Sequence, residues 1–517
     1  MIYNVKISAI KHQNRATFRV QKKKKKQSNI SSCSIHHSVS ALSIVQQKLH
    51  IAVFPWLAYG HILPFLEVSK FLVQMGHRVS YISTPKNISR LPKFPLELSP
   101  NLSFVVLPMP QVEGLPSGVE STADIPVHKV PYLKKAYDNL ETPLADFLKT
   151  SPVDWIIHDF APHWLPRIAA AMGIKLAYFS IYSASTAAFA GPPDKLIVGR
   201  RQRPEDFTVI PEWIDYPSNI AFKLHEMVSI EQGMDQDVSD FIRWASVVQG
   251  CQVVTLRSCP EFEPDALRLL PRLLQKPVVP IGLLPPSVSS TPPDEDNGDD
   301  AWKSMRKWLD GKNQKSVFYI ALGSEVALSP SLSHELALGI EKSGLPFIWV
   351  IRNRPLVEGQ MDQDTLPPGF EERVSDRGFV LRGWAPQMRI LAHPSIGGFL
   401  THCGWSSTIE ALGLGLPLIL FSGASSDLGL VARLLHGKKV GMEIERNEVD
   451  GSFTSEAVAK VIRVVMVEAE GEAIRANASA MMEICGNVEL GRKYLTEFTR
   501  FLENYVPVDL SRLQCSG

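Results

Sequence analysis

The sequence predicts an α/β protein built from two doubly wound parallel sheets, each covered by helices on both faces. Short strand-like runs alternate with helically periodic stretches along most of the chain, which is typical of parallel sheets. One stretch, residues 286–300, is rich in proline, serine and aspartate and lacks an apolar period, so it indicates a linker. The chain has 517 residues, 45% of them hydrophobic, which is enough for two or more domains.

The predicted N-terminal lobe, residues 49–285, begins with an apolar strand at His50 and a turn at residues 58–60. From His61 onward apolar residues recur at helical spacing, Pro64 is expected in the first turn of this helix, and Gly76 ends it. The further strand-like runs are RVSYIST, LSFVVLP, DWIIHDF, KLAYFSIYSA and CQVVTLRS.

The predicted C-terminal lobe, residues 301–487, repeats the alternation. Its strand-like runs are SVFYIALGS, PFIWVIR, GFVLRGWAP, GGFLTHC, LPLILFSG and VGMEIE, with helices expected from about Pro330 and Ser406. The last segment, residues 488–517, contains a helical stretch that we expect to pack back on the N-terminal lobe. Ligands of such sheets bind beyond the carboxyl ends of the strands, so we expect the active site in a cleft between the lobes.

Residues 1–48 predict a disordered basic tail. Residues 1–49 carry ten Lys and Arg, five of them consecutive at 22–26, and no Asp or Glu. The tail is either a targeting segment or a dispensable extension. The rest of the chain has 44 basic and 53 acidic residues, a net charge of −9, which argues against nucleic acid as the main partner.

Membrane insertion and disulfide scaffolding are also disfavoured. No run approaches the ~18 apolar residues of a membrane span, and the N-terminus lacks a secretory pattern. The six cysteines are sparse and form no CxxC pair, which fits a reducing compartment and argues against a cysteine-rich zinc site. We therefore expect a cytoplasmic monomer without integral membrane association.

The densest chemical signal is the run THCGWSSTIE at residues 401–410. It predicts the end of a strand, a tight turn at Gly404 and the start of a helix. The free N–H groups of a helix N-terminus that follows a strand can bind an anion. His402 beside it could donate a hydrogen bond to a phosphate. The alternative is an ordinary capped strand–helix junction. The helix-capping residue types and the acid expected in the first turn are Ser406, Ser407, Thr408 and Glu410.

An aromatic ring and an amide occur together at another strand end, in WAPQ at residues 384–387. The ring of Trp384 could stack on a nucleobase, and Gln387 could bond its edge. The alternative is a tryptophan packed in a core.

A candidate base and its orienting carboxylate occur in the N-terminal lobe. His61 lies where the first strand turns into its helix, and Asp159 ends the strand DWIIHDF at the same sheet edge. An imidazole there could take the proton of an alcohol, and the carboxylate could orient it. His158 should point to the other face by strand alternation. A lone histidine at a helix start can equally be structural.

These motifs together resemble the plant family 1 UDP-glycosyltransferases. The resemblance is carried by residues 384–387, by HP at 393–394, by GGFLTHCGW at 397–405, by ST at 407–408 and by Glu410, and it extends over residues 49–505. It implies a GT-B fold of two Rossmann-like lobes, with a UDP-sugar donor in the C-terminal lobe and a small acceptor in the N-terminal lobe. It implies an inverting transfer with no metal and no other cofactor.

The resemblance also assigns roles to residues. Trp384 would stack on uracil, Ala385 and Gln387 would bond uracil and ribose, and Glu410 would hold the ribose hydroxyls. Ser324, His402 and Ser407 would hold the diphosphate, and His61 with Asp159 would form the catalytic dyad. Further donor-site residues of the same box are Gly404, Trp405, Ser406, Asp427 and Leu428.

Two positions depart from the family pattern. Ser406 stands where the family usually has asparagine, and Asp427-Leu428, one position later than usual, stands for an acidic residue followed by glutamine. Because Leu428 cannot hydrogen-bond a sugar hydroxyl, we expect a rhamnosyl donor ahead of a glucosyl one. The runs FPWLAYGHILPFLEVSK, ALGSEVALS and HGKKVGMEIER resemble the branch that extends sugars already attached to flavonoids or terpenoids.

Two other functions are weighed against this one. A metal-dependent glycosyltransferase would use an Asp-x-Asp pair, which occurs at 235/237, 294/296 and 362/364, but each pair sits in a polar stretch typical of a solvated loop. A non-catalytic nucleotide-sugar-binding protein would have no need of both His61 and Asp159.

Overall fold

The structure is a computed structural model. It describes residues 48–92, 100–197, 201, 203–232, 238–285, 300–323, 328–351, 355–357, 360–361, 366–423 and 426–506. The predicted tail up to residue 47, the linker residues 286–299 and residues 507–517 lie outside the described residues, as do the three Asp-x-Asp pairs and Ser324.

Two parallel sheets organise the described part of the chain, as the sequence predicts. The first runs in the order β3-β2-β1-β4-β5-β6-β7. Its strands are β1 (His50–Phe54), β2 (Arg78–Ser83), β3 (Leu102–Val106), β4 (Trp155–His158), β5 (Lys175–Ser180), β6 (Val253–Leu256) and β7 (Val278–Pro280). The three-residue strand β7 was not predicted, because so short a run shows no measurable periodicity.

The second sheet runs in the order β12-β9-β8-β13-β14-β15, and β10 pairs with β11 in a separate antiparallel hairpin that the sequence did not reveal. The strands are β8 (Val317–Ala321), β9 (Phe347–Ile351), β10 (Pro355–Val357), β11 (Gln360–Met361), β12 (Gly378–Arg382), β13 (Ile396–Thr401), β14 (Leu418–Leu420) and β15 (Gly441–Glu443).

Helices cover both sheets. Those up to the linker are α1 (Tyr59–Gln74), α2 (Pro85–Ser89), α3 (Val130–Asp138), α4 (Glu141–Thr150), α5 (Leu165–Met172), α6 (Ala184–Ala190), α7 (Pro193–Ile197), α8 (Leu224–Gln232), α9 (Asp240–Gly250) and α10 (Pro264–Leu274). Those after it are α11 (Asp300–Asp310), α12 (Pro330–Ser343), α13 (Phe370–Arg373), α14 (Gln387–Leu391), α15 (Trp405–Gly413), α16 (Leu428–Gly437), α17 (Ser455–Met466), α18 (Glu472–Ala480), α19 (Met482–Cys485) and α20 (Val488–Asn504).

Burial on both faces explains the apolar character of the strands. In β1, Ala52 and Phe54 pack into one apolar cluster, whereas Ile51 and Val53 pack into another on the opposite face. Because apolar packing covers both faces of the sheet, polar groups that could bind a ligand are left to the carboxyl ends of the strands. None of the described helices combines the length and the apolar character that crossing a membrane requires.

Helix α1 differs from the expectation in one detail. It begins at Tyr59 with Ala58 as its N-cap, so Pro64 is its sixth residue and lies beyond the first turn. Proline has no N–H, and it therefore donates no bond to the carbonyl of Gly60 four residues earlier.

The C-terminal helix α20 packs on the first lobe. The indole Nε1 of Trp155 in β4 donates to the carbonyl oxygen of Leu502 at 3.2 Å, and a carboxylate oxygen of Glu503 lies 3.0 Å from Nε2 of His77. The end of the chain thus contributes to the lobe that begins it.

Candidate active site

The topology of the first sheet brings the candidate base and its carboxylate together. Strands β1 and β4 are parallel neighbours, with Phe54 opposite His158, so α1 and residue 159 leave the same sheet edge. The Nδ1 atom of His61 lies 2.7 Å from Oδ2 of Asp159, and both side chains are buried. The predicted pair is therefore in hydrogen-bond contact.

The carboxylate of Asp159 is held by the backbone as well. The Trp56 N–H donates to Oδ2 at 3.0 Å, and the Phe160 N–H donates to Oδ1 at 2.8 Å. Because Nδ1 of His61 faces this carboxylate, the proton of a neutral imidazole is expected on Nδ1. The basic lone pair of a neutral His61 then lies on Nε2.

His158 takes no part in this arrangement, as strand alternation predicts. Its ring is buried, its Nδ1 lies 2.9 Å from the carbonyl oxygen of Asp159, and burial lowers its pKa to about 4. It is therefore neutral at physiological pH.

A cavity of about 290 Å³ opens beside His61 and is lined by residues of both lobes. The rings of Phe160 and Tyr182 flank the imidazole, with centroids 5.8 and 5.9 Å from it. Most of the wall is apolar or aromatic, which suits a lipophilic acceptor. The larger apolar lining residues are Trp56, Val127, Val130, Phe160, Tyr182, Phe189, Phe207, Phe222, Met227, Ile230, Phe241, Trp244 and Leu430.

The junction between β13 and α15 corrects two details of the sequence interpretation. The left-handed residue of the turn is Cys403, with φ of 72°, whereas Gly404 has φ of −60° and is the N-cap of α15. Gly404 is required for another reason: a Cβ there would lie 2.5 Å from Nε2 of His402. Ser406 and Ser407 are thus the second and third helical residues, and Glu410 lies in the second turn.

His402 is enclosed by two glycines. A Cβ on Gly323, whose φ is 72°, would lie 2.5 Å from Nε2 and Cε1 of the same imidazole that Gly404 contacts. Because the backbone approaches so closely from both sides, the imidazole of His402 is confined to one position, at the carboxyl ends of β8 and β13.

Gln387, Ser407 and Glu410 form one hydrogen-bonded group. Because α14 begins at Gln387, its side chain reaches α15, where Nε2 donates to Oε2 of Glu410 at 2.7 Å and to Oγ of Ser407 at 3.0 Å. Burial raises the pKa of Glu410, partly offset by the Gln387 bond and by the charge of Arg257. Three of the predicted donor residues are therefore adjacent.

Trp384 is 71% exposed, which rules out the alternative of a core tryptophan. It follows β12 and Gly383, whose φ is 115°, and Ala385 comes directly after it, half-buried. An exposed indole next to the Gln387 group has a free face for a flat ring. The described residues contain no group of three or more His, Cys, Asp or Glu placed to hold a metal ion.

Sequence reasoning missed Arg257, which follows β6 and joins the lobes. Its Nη1 donates to Oγ of Ser406 at 2.6 Å, and its own carbonyl oxygen accepts from Nε1 of Trp405 at 2.8 Å. That bond occupies the only polar atom of the Trp405 side chain. Burial lowers the pKa of Arg257 to about 10, so it stays charged at neutral pH.

At the end of the box, Asp427 and not Leu428 reaches the cavity beside His61. Asp427 accepts from Thr186 Oγ1 at 3.3 Å and from Ser426 Oγ at 3.4 Å, and burial raises its pKa to about 6. Leu428, the first residue of α16, is buried and absent from the cavity wall. The cavity is thus lined by His61 of one lobe and by a carboxyl group of the other.

Comparisons with known proteins agree with this geometry. The family model described as "UDP-glucoronosyl and UDP-glucosyl transferase" matches residues 292–466. UDP-glycosyltransferase 91C1 of Arabidopsis thaliana is 47% identical over 462 residues, covering 89% of this chain and 97% of its own length. Soyasaponin III rhamnosyltransferase of Glycine max is 40% identical over 472 residues, covering 89% and 96%.

The solved structure of Phytolacca americana UGT2 with UDP-2-fluoro-glucose and pterostilbene is similar in fold. It has a TM-score of 0.67 and 24% identity, and the match covers 88% of this chain and all of that one. The two parallel-sheet lobes form a GT-B fold. The chain belongs to the family 1 UDP-glycosyltransferases of plants, enzymes that glycosylate small metabolites.

Proposed function

We propose that this enzyme is an inverting hexosyltransferase in which His61 is the general base for a hydroxyl of a small lipophilic plant metabolite or its glycoside, of the flavonoid or terpenoid type. The observation that carries the proposal is the contact of 2.7 Å between His61 Nδ1 and Asp159 at the wall of the cavity. Nε2 would take the acceptor proton while the acceptor oxygen attacks the anomeric carbon. The bond from that carbon to the diphosphate breaks, and UDP leaves.

The donor would lie on the second lobe. Amides at the start of α15 and the imidazole of His402 would stabilise the charge that develops on the diphosphate, so no metal is needed in this proposal. Trp384, Ala385, Gln387 and Glu410 would hold uridine. Activity that EDTA abolishes would contradict this donor site and favour a metal-dependent enzyme.

Replacing the base tests the mechanism. We expect His61→Ala to lower kcat by roughly 10²–10⁴-fold, the usual contribution of a general base, while the Kd for UDP stays unchanged because the donor site is in the other lobe. Asp159→Asn should be severely impaired but retain a trace of activity. His436→Ala, at an exposed histidine of α16, is the matched control. Near-normal turnover by His61→Ala would refute the mechanism.

We further propose that UDP-rhamnose is preferred over UDP-glucose. The Glycine max relative is named a rhamnosyltransferase. Leu428, which stands where the family has a polar residue, is buried outside the cavity wall and offers no hydrogen bond to a sugar hydroxyl. Rhamnose has a methyl group in place of one hydroxyl; burying that carbon is worth about 0.8 kcal/mol, and an unsatisfied glucose hydroxyl adds to the difference.

The donor proposal predicts a ratio of kcat/KM values of roughly tenfold in favour of UDP-rhamnose. Product formation from both donors is measured by mass spectrometry. A wild-type enzyme that favours UDP-glucose would contradict the donor proposal and leave the base unaffected.

We also propose that the enzyme is a cytosolic monomer. Light scattering of the purified chain and imaging of a fluorescent fusion of the full chain test these two statements. A stable dimer, or fluorescence in plastids, would contradict them.

A further inference from the structure

The acceptor cavity contains an ion pair within its apolar wall. Nζ of Lys134 in α3 donates to Oδ1 and Oδ2 of Asp240 in α9 at 2.6 and 2.7 Å, and both residues line the cavity. Lys134 is only 6% exposed, whereas the side chain of Asp240 is 38% exposed. Charges in such a wall lose hydration, so their presence calls for a reason.

Joining the two helices is not a sufficient reason, because a second ion pair already does so. Nη1 and Nη2 of Arg243 in α9 donate to the two carboxylate oxygens of Asp138 in α3, each at 2.6 Å, and Nη1 also donates to the carbonyl oxygen of Ala161 at 2.9 Å. Neither Arg243 nor Asp138 lines the cavity. Both ion pairs link α3 to α9, but only the Lys134–Asp240 pair faces the cavity.

The Lys134–Asp240 pair lines the same cavity as His61, the candidate base. The ring of Tyr182, which lines this cavity too, has its centroid 5.9 Å from that of the His61 imidazole. A ligand that fills the cavity therefore meets both the candidate base and the ion pair.

The pair offers hydrogen bonds without net charge. A lysine ammonium has three N–H groups, of which two point at Asp240, and each carboxylate oxygen can accept a further bond. A group that both donates and accepts, such as a sugar hydroxyl, can use both partners. An anion would gain little, because the carboxylate cancels the attraction of the ammonium.

We propose that Lys134 and Asp240 form the subsite that binds hydroxyls of the sugar already carried by the acceptor. This inference rests on the proposed function, because it names residues that would distinguish a glycoside from its aglycone. In this arrangement the apolar wall of the cavity binds the aglycone, and the Lys134–Asp240 pair binds the neutral sugar.

The test compares quercetin, quercetin 3-O-glucoside and quercetin 3-O-glucuronide as acceptors. For the wild type we expect kcat/KM to be highest with the glucoside. Asp240→Asn and Lys134→Met should each lower the ratio of glucoside to quercetin by about tenfold, as expected for lost hydrogen bonds to charged groups. Asp240→Asn leaves the ammonium of Lys134 without its counter-charge, so it should also raise kcat/KM for the glucuronide relative to that for the glucoside.

Asp138→Asn is the matched control, because it breaks the pair that faces away from the cavity. It should lower the melting temperature without changing the acceptor ratio. Asp240→Asn should fold, since the α9 cap, Ser239 Oγ accepting from the Ile242 N–H at 3.3 Å, is kept.

An unchanged ratio in both Lys134→Met and Asp240→Asn, or an equal loss with all acceptors, would overturn the subsite. A wild-type preference for the glucuronide would overturn it too. If the enzyme transfers sugar to none of these acceptors, the flavonoid part of the proposed function fails. Titration of tryptophan fluorescence with the glucoside and with quercetin then still tests the subsite by the ratio of Kd values.

Discussion

At the residue scale, Asp427 illustrates how a binding group can cost stability. Its carboxyl group is buried in the cavity, and its pKa is raised from 3.8 to about 6, chiefly by burial and despite hydrogen bonds from Thr186 and Ser426. The ionised form is therefore less stable in the folded chain than in the unfolded one. Hydrogen bonding to sugar hydroxyls, the role proposed for this site, would account for a carboxylate at this position.

We predict that Asp427→Asn stabilises the unliganded enzyme at pH 7.5 while it slows transfer. Below pH 4 both states hold the proton and the penalty is absent; it grows as pH rises from about 4 to 6 and is complete above. A shift of about two pKa units corresponds to roughly 2–3 kcal/mol in the free energy of unfolding.

Denaturant unfolding at pH 4 and pH 7.5 measures the effect, with the exposed Asp376→Asn as control. The gain should be present at pH 7.5 and vanish at pH 4. A gain that is equal at both pH values would show that the asparagine acts through packing and not through the lost charge.

The residues that the sequence revealed differ from those it concealed in one respect. His61, Asp159 and Trp384 follow strand ends within recognisable motifs, so their types and positions already indicate chemistry. Arg257 and Lys134 have partners 149 and 106 residues away, and no local pattern marks them. Only the folded structure shows that Arg257 reaches Ser406 at the start of α15 and that Lys134 lines the cavity.

At the element scale, the start of α15 is a site to which both lobes contribute. The guanidinium of Arg257 donates to the carbonyl oxygens of Leu283 at 2.8 Å and Leu284 at 3.2 Å, and to Ser406. The φ of Leu284 is 51°, a left-handed conformation that is uncommon for leucine. The bond to Ser406 places the positive charge of Arg257 beside the N-terminus of α15, which is the positive end of the helix dipole. A bound anion there would offset both the guanidinium charge and the helix dipole.

We predict that Arg257→Met weakens UDP binding by about tenfold or more, since it removes a buried positive charge beside the helix start proposed to hold the diphosphate, and that Ser406→Ala weakens it less. Calorimetric titration with UDP measures the change. Uridine, which lacks the diphosphate, is the control ligand and should bind both variants as it binds the wild type. Equal weakening of uridine would show that Arg257 only supports the fold.

The helix starts were the least predictable part of the elements. The serines and the threonine after Trp405 were expected to cap α15, but the cap is Gly404, because the imidazole of His402 occupies the space where a larger capping side chain would lie. The close contact between His402 and position 404 therefore favours glycine as the N-cap over the serine or threonine expected from the sequence.

At the scale of the whole molecule, the two lobes were predictable and their junction was not. Strand–helix alternation and the linker composition predicted two parallel sheets, and the folding back of the last helix was expected as well. The junction depends on contacts between residues about two hundred positions apart. The buried pair of Glu226 in α8 and Arg433 in α16, 207 residues apart, is one charged contact there, and Lys223 with Glu443 is another.

Several groups surround the Glu226–Arg433 pair. Arg433 Nη2 donates to Glu226 Oε2 at 2.6 Å, and Ser422 Oγ donates to Oε1 at 2.9 Å. The Lys223 N–H donates to Oε2 at 2.8 Å, and Arg433 Nη1 donates to the carbonyl oxygen of Gly429 at 2.8 Å. A Cβ on Gly429 would lie 2.3 Å from Oε2, so the glycine makes room for the carboxylate.

We predict that Glu226→Gln lowers the free energy of unfolding by roughly 1.5–3 kcal/mol, because it removes the nearer of the two carboxylates that face the buried Arg433 and leaves only Glu443, whose Oε2 lies 3.3 Å from Nη1. Since both lobes line the cavity, KM for the acceptor should rise as well. The double variant Glu226→Met/Arg433→Met should recover most of the stability, because an apolar pair of similar volume has no charge to desolvate. Asp146→Asn, which breaks the exposed Lys149 pair, is the control and should change stability by less than about 1 kcal/mol. If Glu226→Gln is as stable as the control, or the double variant is no better than the single one, the lobes are held by their apolar contacts and this pair does not fix their arrangement.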